Sequence, residues 1–310
     1  VEELEQILRN AAAYKRAQDE HRATNAAAGQ SVQEADRKPG GKLEFPEADL
    51  LGLNMEGPFI SPAKKGAQDE KNIVPCNEEI AKRFLKASEG LVKFIGIAPE
   101  ESSEAVAFIQ EMKDSVDISL AHTNADYDTA MAAFTAGANH AVHLYNAMPA
   151  FTHRAPGVIG AVADSKHVMA EMICDNVHIH PAVVRATFAM MGADRMILIS
   201  DSMRATGMPD GTYTLGGLDV SVNGNRATLV DGGALAGSVT NLMDCMRTVV
   251  KVMEIPLETA VACATANPAR CLGVYDTYGS ISEGKKADIV LLDEELELKM
   301  VIKDGQLPFL

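Results

Sequence analysis

The sequence holds no apolar stretch long enough to span a bilayer, and its first thirty residues are polar and helix-forming, with no signal-peptide core. Basic residues are scarce. Lys and Arg number 28 against 43 Asp and Glu, a net charge of −15, and the resulting field repels nucleic acid and anionic membranes as partners. The five cysteines, Cys76, Cys174, Cys245, Cys263 and Cys271, are odd in number, scattered, and include no C-x-x-C pair. They read as reduced core thiols of a cytoplasmic protein. Also missing, in any strand-to-helix context that would use them, are G-x-x-x-x-G-K-[ST], G-x-S-x-G and G-x-G-x-x-G, which leaves nucleotide-binding and serine-hydrolase chemistry without support. What is present is a 310-residue chain, 47% hydrophobic, able to bury a large core. It opens on Val1 rather than methionine, as expected of a processed or missing N-terminus.

Residues 3–28 favour helix by composition, and 29–48 (GQSVQEADRKPGGKLEFPEA) read as a polar loop rich in Gly and Pro. Then apolar strand-like runs alternate with amphipathic stretches: LLGLNME, VKFIGIAP, DISLAH, HAVHLY, VMAEMICD and MILISD, with helices between most of them. That order predicts parallel strands with helical crossovers, an α/β fold of the (β/α)8 TIM-like barrel type. Six barrel strands are visible where a closed barrel has eight, so either two lie outside this chain or the barrel is open. Pro181 marks a first helical turn, while Gly137 and Gly192 mark helix ends. From Thr212 to Leu235, short alternating segments meet at Gly-Gly and Asn-Gly, which is hairpin chemistry. We expect a metal-dependent barrel over 1–274 and part of a small β-sandwich subdomain over 275–310.

Four polar residues each close an apolar run: Glu56, His122, His143 and Asp201. On parallel strands of one sheet they converge at one end, where barrel enzymes assemble their sites. Alone, Glu56 would be a carboxylate satisfied by loop amides, each histidine a core or capping residue, and Asp201 an N-cap. Together, a carboxylate and two imidazoles suit a divalent cation with a position left for water, and a further aspartate can move protons. Zinc fits these ligands, with Fe²⁺, Mn²⁺ or Co²⁺ as the other candidates. Asn146, Ala147, His153 and Arg154 follow His143 in a Pro- and Gly-rich loop, and Arg is the side chain best suited to clamp phosphate. His178 and His180 form an H-x-H that resembles a second metal pair; we read His178 as a substrate contact and His180 as a helix cap. Lys64 and Lys65 read as solvated.

The motifs LGLNMEGPFISPAKKGA, AHTNADYDTAMAAFTAGANHAVHLYNAMPAFTHRAPGVIGA, DNVHIHPAVVR, SDSMRATGMPDGTYTLGG and GALAGS, in this order, resemble the N-acetylglucosamine-6-phosphate deacetylases of the amidohydrolase superfamily, from about Leu50 to the C-terminus. The resemblance implies hydrolysis of a linear amide: removal of acetate from N-acetylglucosamine 6-phosphate to leave glucosamine 6-phosphate, in amino-sugar catabolism. It implies Glu56, His122 and His143 as ligands of one divalent metal and Asp201 as the acid/base. Asn146, the Ala147 amide and Arg154 would bind phosphate, Arg154 reaching into the neighbouring subunit of a homodimer. His178 would hold sugar hydroxyls, and the backbone of Leu235, Ala236 and Gly237 would line the acetyl side.

Two departures stand out. The family's N-terminal part, with its first barrel strands and their H-x-H, has no counterpart here, and 21–46 looks like an insertion. The family's histidine after KKGA, which helps polarise the substrate carbonyl, is here Gln68, able to donate a hydrogen bond but not to be cationic. These departures keep two other readings open: an amidohydrolase of another N-acyl or cyclic amide, and a truncated relative that binds sugar phosphate without turnover.

Overall fold

A computed structural model describes residues 1–27 and 48–307; the loop expected over 29–48, except Ala48, lies outside the described residues with most of the 21–46 insertion. The chain divides into two compact units.

The first unit comprises Val1–Leu53, Glu79–Val92 and Lys286–Leu310. Its long helix α1 (Glu2–Ala27) is mostly exposed. It is held by Leu8 and Ala12, which are buried, and by Gln18, whose amide donates to the Ala48 carbonyl and accepts from Leu50 N. Arg83 on α2 (Glu78–Ala87) pairs with Glu5 at 2.5 Å. Two antiparallel strands, β10 (Ile289–Leu292) and β11 (Leu298–Ile302), complete this unit. Beside them Lys303 is buried among Asp49, Asp288 and Asp304, an ammonium surrounded by the carboxylates that offset its desolvation.

The second unit, Asn54–Glu78 and Lys93–Lys285, carries the sheet. Its six strands lie in sequence order: β1 (Leu53–Phe59), β2 (Val92–Ile97), β3 (Asp117–Leu120), β4 (His140–Ala141), β5 (Met169–Ile173) and β6 (Met196–Ile199). The register from β2 to β6 is parallel throughout. This is the TIM-like α/β architecture expected. Ile95, Ile97, Ile118 and Leu120 are completely buried, as strands covered on both faces require.

The crossovers are helical: α3 (Ala105–Met112), α4 (Tyr127–Ala136), α5 (Gly157–Asp164) and α6 (Pro181–Met191). Asp126 caps α4 by accepting from Thr129 N at 2.8 Å, and Gly137 and Gly192 end α4 and α6 at positive φ. Arg195 donates to the carbonyls of Val162, Ser165 and Val168 at 2.8 to 3.0 Å and to that of Met191. It thereby satisfies acceptors at the ends of two helices. After β6 comes an antiparallel sheet, β7 (Gly211–Leu215), β8 (Leu218–Asn223) and β9 (Arg226–Leu229), turning at Gly216–Gly217 as the sequence predicts and at Gly224–Asn225, one residue past the expected Asn-Gly. Helices α7 (Leu242–Lys251), α8 (Leu257–Ala264) and α9 (Ala266–Cys271) follow, α7 capped by Asn241.

Two local expectations change. The first strand does not stop at Glu56: β1 continues through Gly57 and Pro58 to Phe59. Pro58 has no N–H to give, but its carbonyl accepts from Val74 N and that of Phe59 from Ala98 N, so the segment stays tied. The segment GVIG, the end of the stretch NAMPAFTHRAPGVIG read as loop, is instead the first half of α5, and every residue from Gly157 to Ala163 is buried.

Candidate metal centre

His122, His143 and Asp201 occupy equivalent places. Each lies two residues past the last ladder residue of its strand, β3, β4 and β6, and each has a positive φ, 45°, 30° and 51°. A non-glycine residue in that region is strained, and the shared twist turns three side chains toward one mouth at the carboxyl end of the sheet. Asp175 holds the same place after β5, and its carboxylate accepts from the Val177 and His178 amides and faces His178 Nδ1 at 2.8 Å.

At that mouth His122 Nε2 lies 2.8 Å from Glu56 Oε1, His143 Nε2 lies 3.5 Å from Glu56 Oε2, and the two Nε2 atoms are 3.1 Å apart. Tetrahedral ligands about 2.0 to 2.1 Å from a zinc ion sit about 3.3 Å from one another. The three donors therefore have the spacing of a tridentate face for a divalent ion, and they form one of two such groups among the described residues. The other, Asp49, Asp288 and Asp304, is already engaged with Lys303. His122 Nδ1 faces the Lys64 carbonyl at 2.7 Å, which fixes the proton there and leaves Nε2 free to ligate.

The electrostatics follow from burial and pairing. Burial opposes the charge on Glu56, but hydrogen bonds from His122 and His143 outweigh it and hold the carboxyl well below its usual range. Burial pulls His143 down, and its bond to Glu56 raises it further, to about 9. Asp201 is raised above the ordinary carboxylate range, chiefly by burial. Asp201, Glu56 and His143 line one cavity of about 440 Å³, together with Asn54, Glu171 and Leu242.

The remaining predicted residues are distributed around this mouth. Gln68 donates to Glu56 Oε1 at 2.7 Å and to the Glu56 carbonyl at 3.1 Å, so its amide is already engaged with Glu56. Gly237 sits against Asp201: Ser238 N donates to the Asp201 carbonyl at 2.7 Å, and a Cβ on Gly237 would meet that carbonyl at 3.1 Å. Leu235 and Ala236 are tied back to the hairpin sheet, Ala236 N donating to the Ala227 carbonyl. Asn146 turns its amide onto the carbonyls of His143 and Leu144, and Ala147 has φ 52°. Arg154 is not brought to this cavity. It is exposed, donates from Nη1 to His153 Nε2 at 2.8 Å, and lines a second cavity of about 390 Å³ with Tyr127, Pro149 and Gly157. His180 caps α6, its Nδ1 accepting from Ala182 N, and so makes no metal pair with His178.

Comparison with known proteins fits this geometry. The amidohydrolase family model matches residues 40–307. The chain belongs to the amidohydrolase family. N-acetylglucosamine-6-phosphate deacetylase of Bacillus subtilis is 39% identical over 264 residues, covering 85% of this chain and 66% of the relative. N-acetylgalactosamine-6-phosphate deacetylase of Escherichia coli O157:H7 is 34% identical over 262 residues, 84% of this chain and 69% of the relative. Among solved structures, a mutant N-acetyl-D-glucosamine-6-phosphate deacetylase from Mycobacterium smegmatis, in complex with N-acetyl-D-glucosamine-6-phosphate, superposes with a TM-score of 0.79 at 36% identity, covering 83% of this chain and 68% of that one. This amidohydrolase chain thus spans about two thirds of the length of the relatives it matches. No helix among its described residues is long and apolar enough to cross a membrane.

Proposed function

We propose that this chain carries the deacetylase chemistry of its relatives, releasing acetate from an N-acetylated amino-sugar 6-phosphate, with N-acetylglucosamine 6-phosphate as first candidate. The observation that carries the reading is the grouping of Glu56, His122 and His143 at ligand spacing, with Glu56 and His143 lining one cavity together with Asp201, whose carboxyl is raised by burial. Glu56, His122 and His143 would hold one divalent ion, zinc being the best fit to a mixed nitrogen and oxygen set. When bound, such an ion polarises the acetyl carbonyl and acidifies water. Asp201 takes the proton of the attacking water at its carboxylate and returns it to the departing amine nitrogen.

His178, oriented by Asp175, serves as a sugar-hydroxyl contact, and Asn146 with the Ala147 amide as a phosphate contact. The exposure of Arg154 supports its use across a subunit boundary in a homodimer. Leu235, Ala236 and Gly237 border the acetyl side. Gln68 would assist the carbonyl only if it left Glu56 Oε1. That engagement favours, as a second reading, a chain that binds sugar phosphate without turnover.

Acetate release by the purified chain, with and without added Zn²⁺, separates the two. The enzyme reading expects turnover on the phosphorylated sugar, far less on the unphosphorylated one, and loss of kcat by at least about 10²-fold in Asp201→Asn with metal content retained. Full activity in that variant would overturn the acid/base role. Absence of acetate from a metal-loaded chain would overturn the enzyme reading.

A further inference from the structure

His143 is the weakly anchored member of the three donors. His122 has its second ring nitrogen fixed by the Lys64 carbonyl, whereas His143 Nδ1 is buried without a hydrogen-bond partner among the described residues. A ligating imidazole ordinarily takes its orientation from a bond at that second nitrogen. His143 must take it from elsewhere. Its backbone is also off the ladder, because β4 ends at Ala141 and φ at His143 is 30°.

The anchor is Glu171, in the middle of β5. Its side chain is buried, with 8% of the residue exposed, and Oε2 accepts from the His143 amide at 3.3 Å. The Glu171 main-chain carbonyl accepts from Leu144 N at 2.8 Å, so one residue grips the chain on both sides of the His143 Cα. Oε1 accepts from Asn54 Nδ2 at 3.2 Å and lies 3.3 Å from His140 Nε2. Asn54 precedes Glu56 by two residues on β1, the spacing at which strand side chains share a face. A buried carboxylate is costly unless it is bonded, and these bonds run to both strands that carry ligands outside β3.

We propose that Glu171 is a positioning residue for the metal centre: it fixes the backbone of His143 in its strained conformation and ties it to the Glu56 strand. The role rests on Glu56, His122 and His143 being metal ligands, and it is separate from acetyl hydrolysis. Glu171 also borders the cavity without belonging to the donor group.

Cobalt binding to the purified full chain tests this independently of activity. Co²⁺ affinity is measured by chelator competition, and the visible ligand-field spectrum reports ligand geometry. Glu171→Gln keeps the shape but presents an N–H toward one of its donors, so Co²⁺ should bind at least about tenfold more weakly, with a shifted spectrum. Asn54→Ala, at an exposed position, should weaken Co²⁺ by about tenfold, the small end of outer-shell effects. Unchanged affinity and spectrum in both variants, with binding lost in His143→Ala, would overturn the role of Glu171 alone. A wild-type chain that takes up no Co²⁺ would overturn the metal reading and this proposal with it.

Discussion

Gln68 donates its side-chain amide to Oε1 of Glu56 at 2.7 Å, the same oxygen that lies 2.8 Å from His122 Nε2. The amide therefore orients an oxygen of the proposed donor group, and on that proposal its removal should be felt first by the ion. Gln68→Ala is expected to weaken Zn²⁺ by about tenfold, in the range of outer-shell losses. Chelator competition checks the affinity, and steady-state kinetics at saturating Zn²⁺ should then recover part of the lost turnover. A variant with wild-type affinity and a large kcat loss would instead make Gln68 a donor to the substrate carbonyl.

Metal binding should also appear as stability, because an ion that binds only the folded chain stabilises it by mass action. At a free Zn²⁺ concentration one hundred times Kd the gain is about 2.7 kcal/mol. Thermal unfolding with a chelator and with graded Zn²⁺ should give a rising Tm for the wild type and a flat one for His122→Ala and His143→Ala. A Tm that rises equally in all three would place the ion elsewhere.

His140 gives a pH prediction with a definite sign. Burial lowers its imidazole from 6.5 to about 3, with the nearby charge of His143 adding to the effect, and the ring packs on Phe94 with Nδ1 2.9 Å from Ser119 Oγ. The folded chain therefore binds fewer protons than the unfolded one between those values. Its contribution to stability is whole above 6.5 and is lost as pH falls toward about 3. Imidazole carbon NMR should show one histidine that stays neutral through pH 4, where ordinary histidines are protonated. His140→Asn should lose that signal and flatten the acid limb of Tm against pH.

How far the sequence displays this centre depends on where each residue stands in its strand. Glu56, His122, His143 and Asp201 are visible because each is a polar residue closing an apolar run, and the structure sets the last three at matching positions past β3, β4 and β6. Glu171 has the opposite signature. It stands inside VMAEMI, where a carboxylate looks like an outward-facing residue of a half-buried strand, and only the paired donors of Asn54 and His143 reveal its inward direction. A lone acid within a run covered on both sides was the available signal. Helix α5 hides for a related reason: GVIGAVA is buried all round, so no polar face marks the helical period before Asp164. Arg154 was legible as a cation in a loop, yet no local pattern tells which cavity a loop side chain will line.

Gly237 supplies the last prediction, since it separates proton transfer from metal binding. It has φ 61°, and a Cβ there would meet the Asp201 carbonyl at 3.1 Å and Met203 Cβ at 3.3 Å. Both the backbone conformation and the contact resist a larger side chain. Gly237→Val should push Asp201 away from the cavity while Glu56, His122 and His143, on other strands, stay put. A displacement of the reacting group by about 1 Å is worth about 10²-fold in rate. The expected result is a kcat lowered by that order with Zn²⁺ affinity unchanged, read from steady-state acetate release and chelator competition on one preparation. Equal losses in both would mean that the segment from Leu235 to Gly237 supports the whole mouth rather than the acid/base alone.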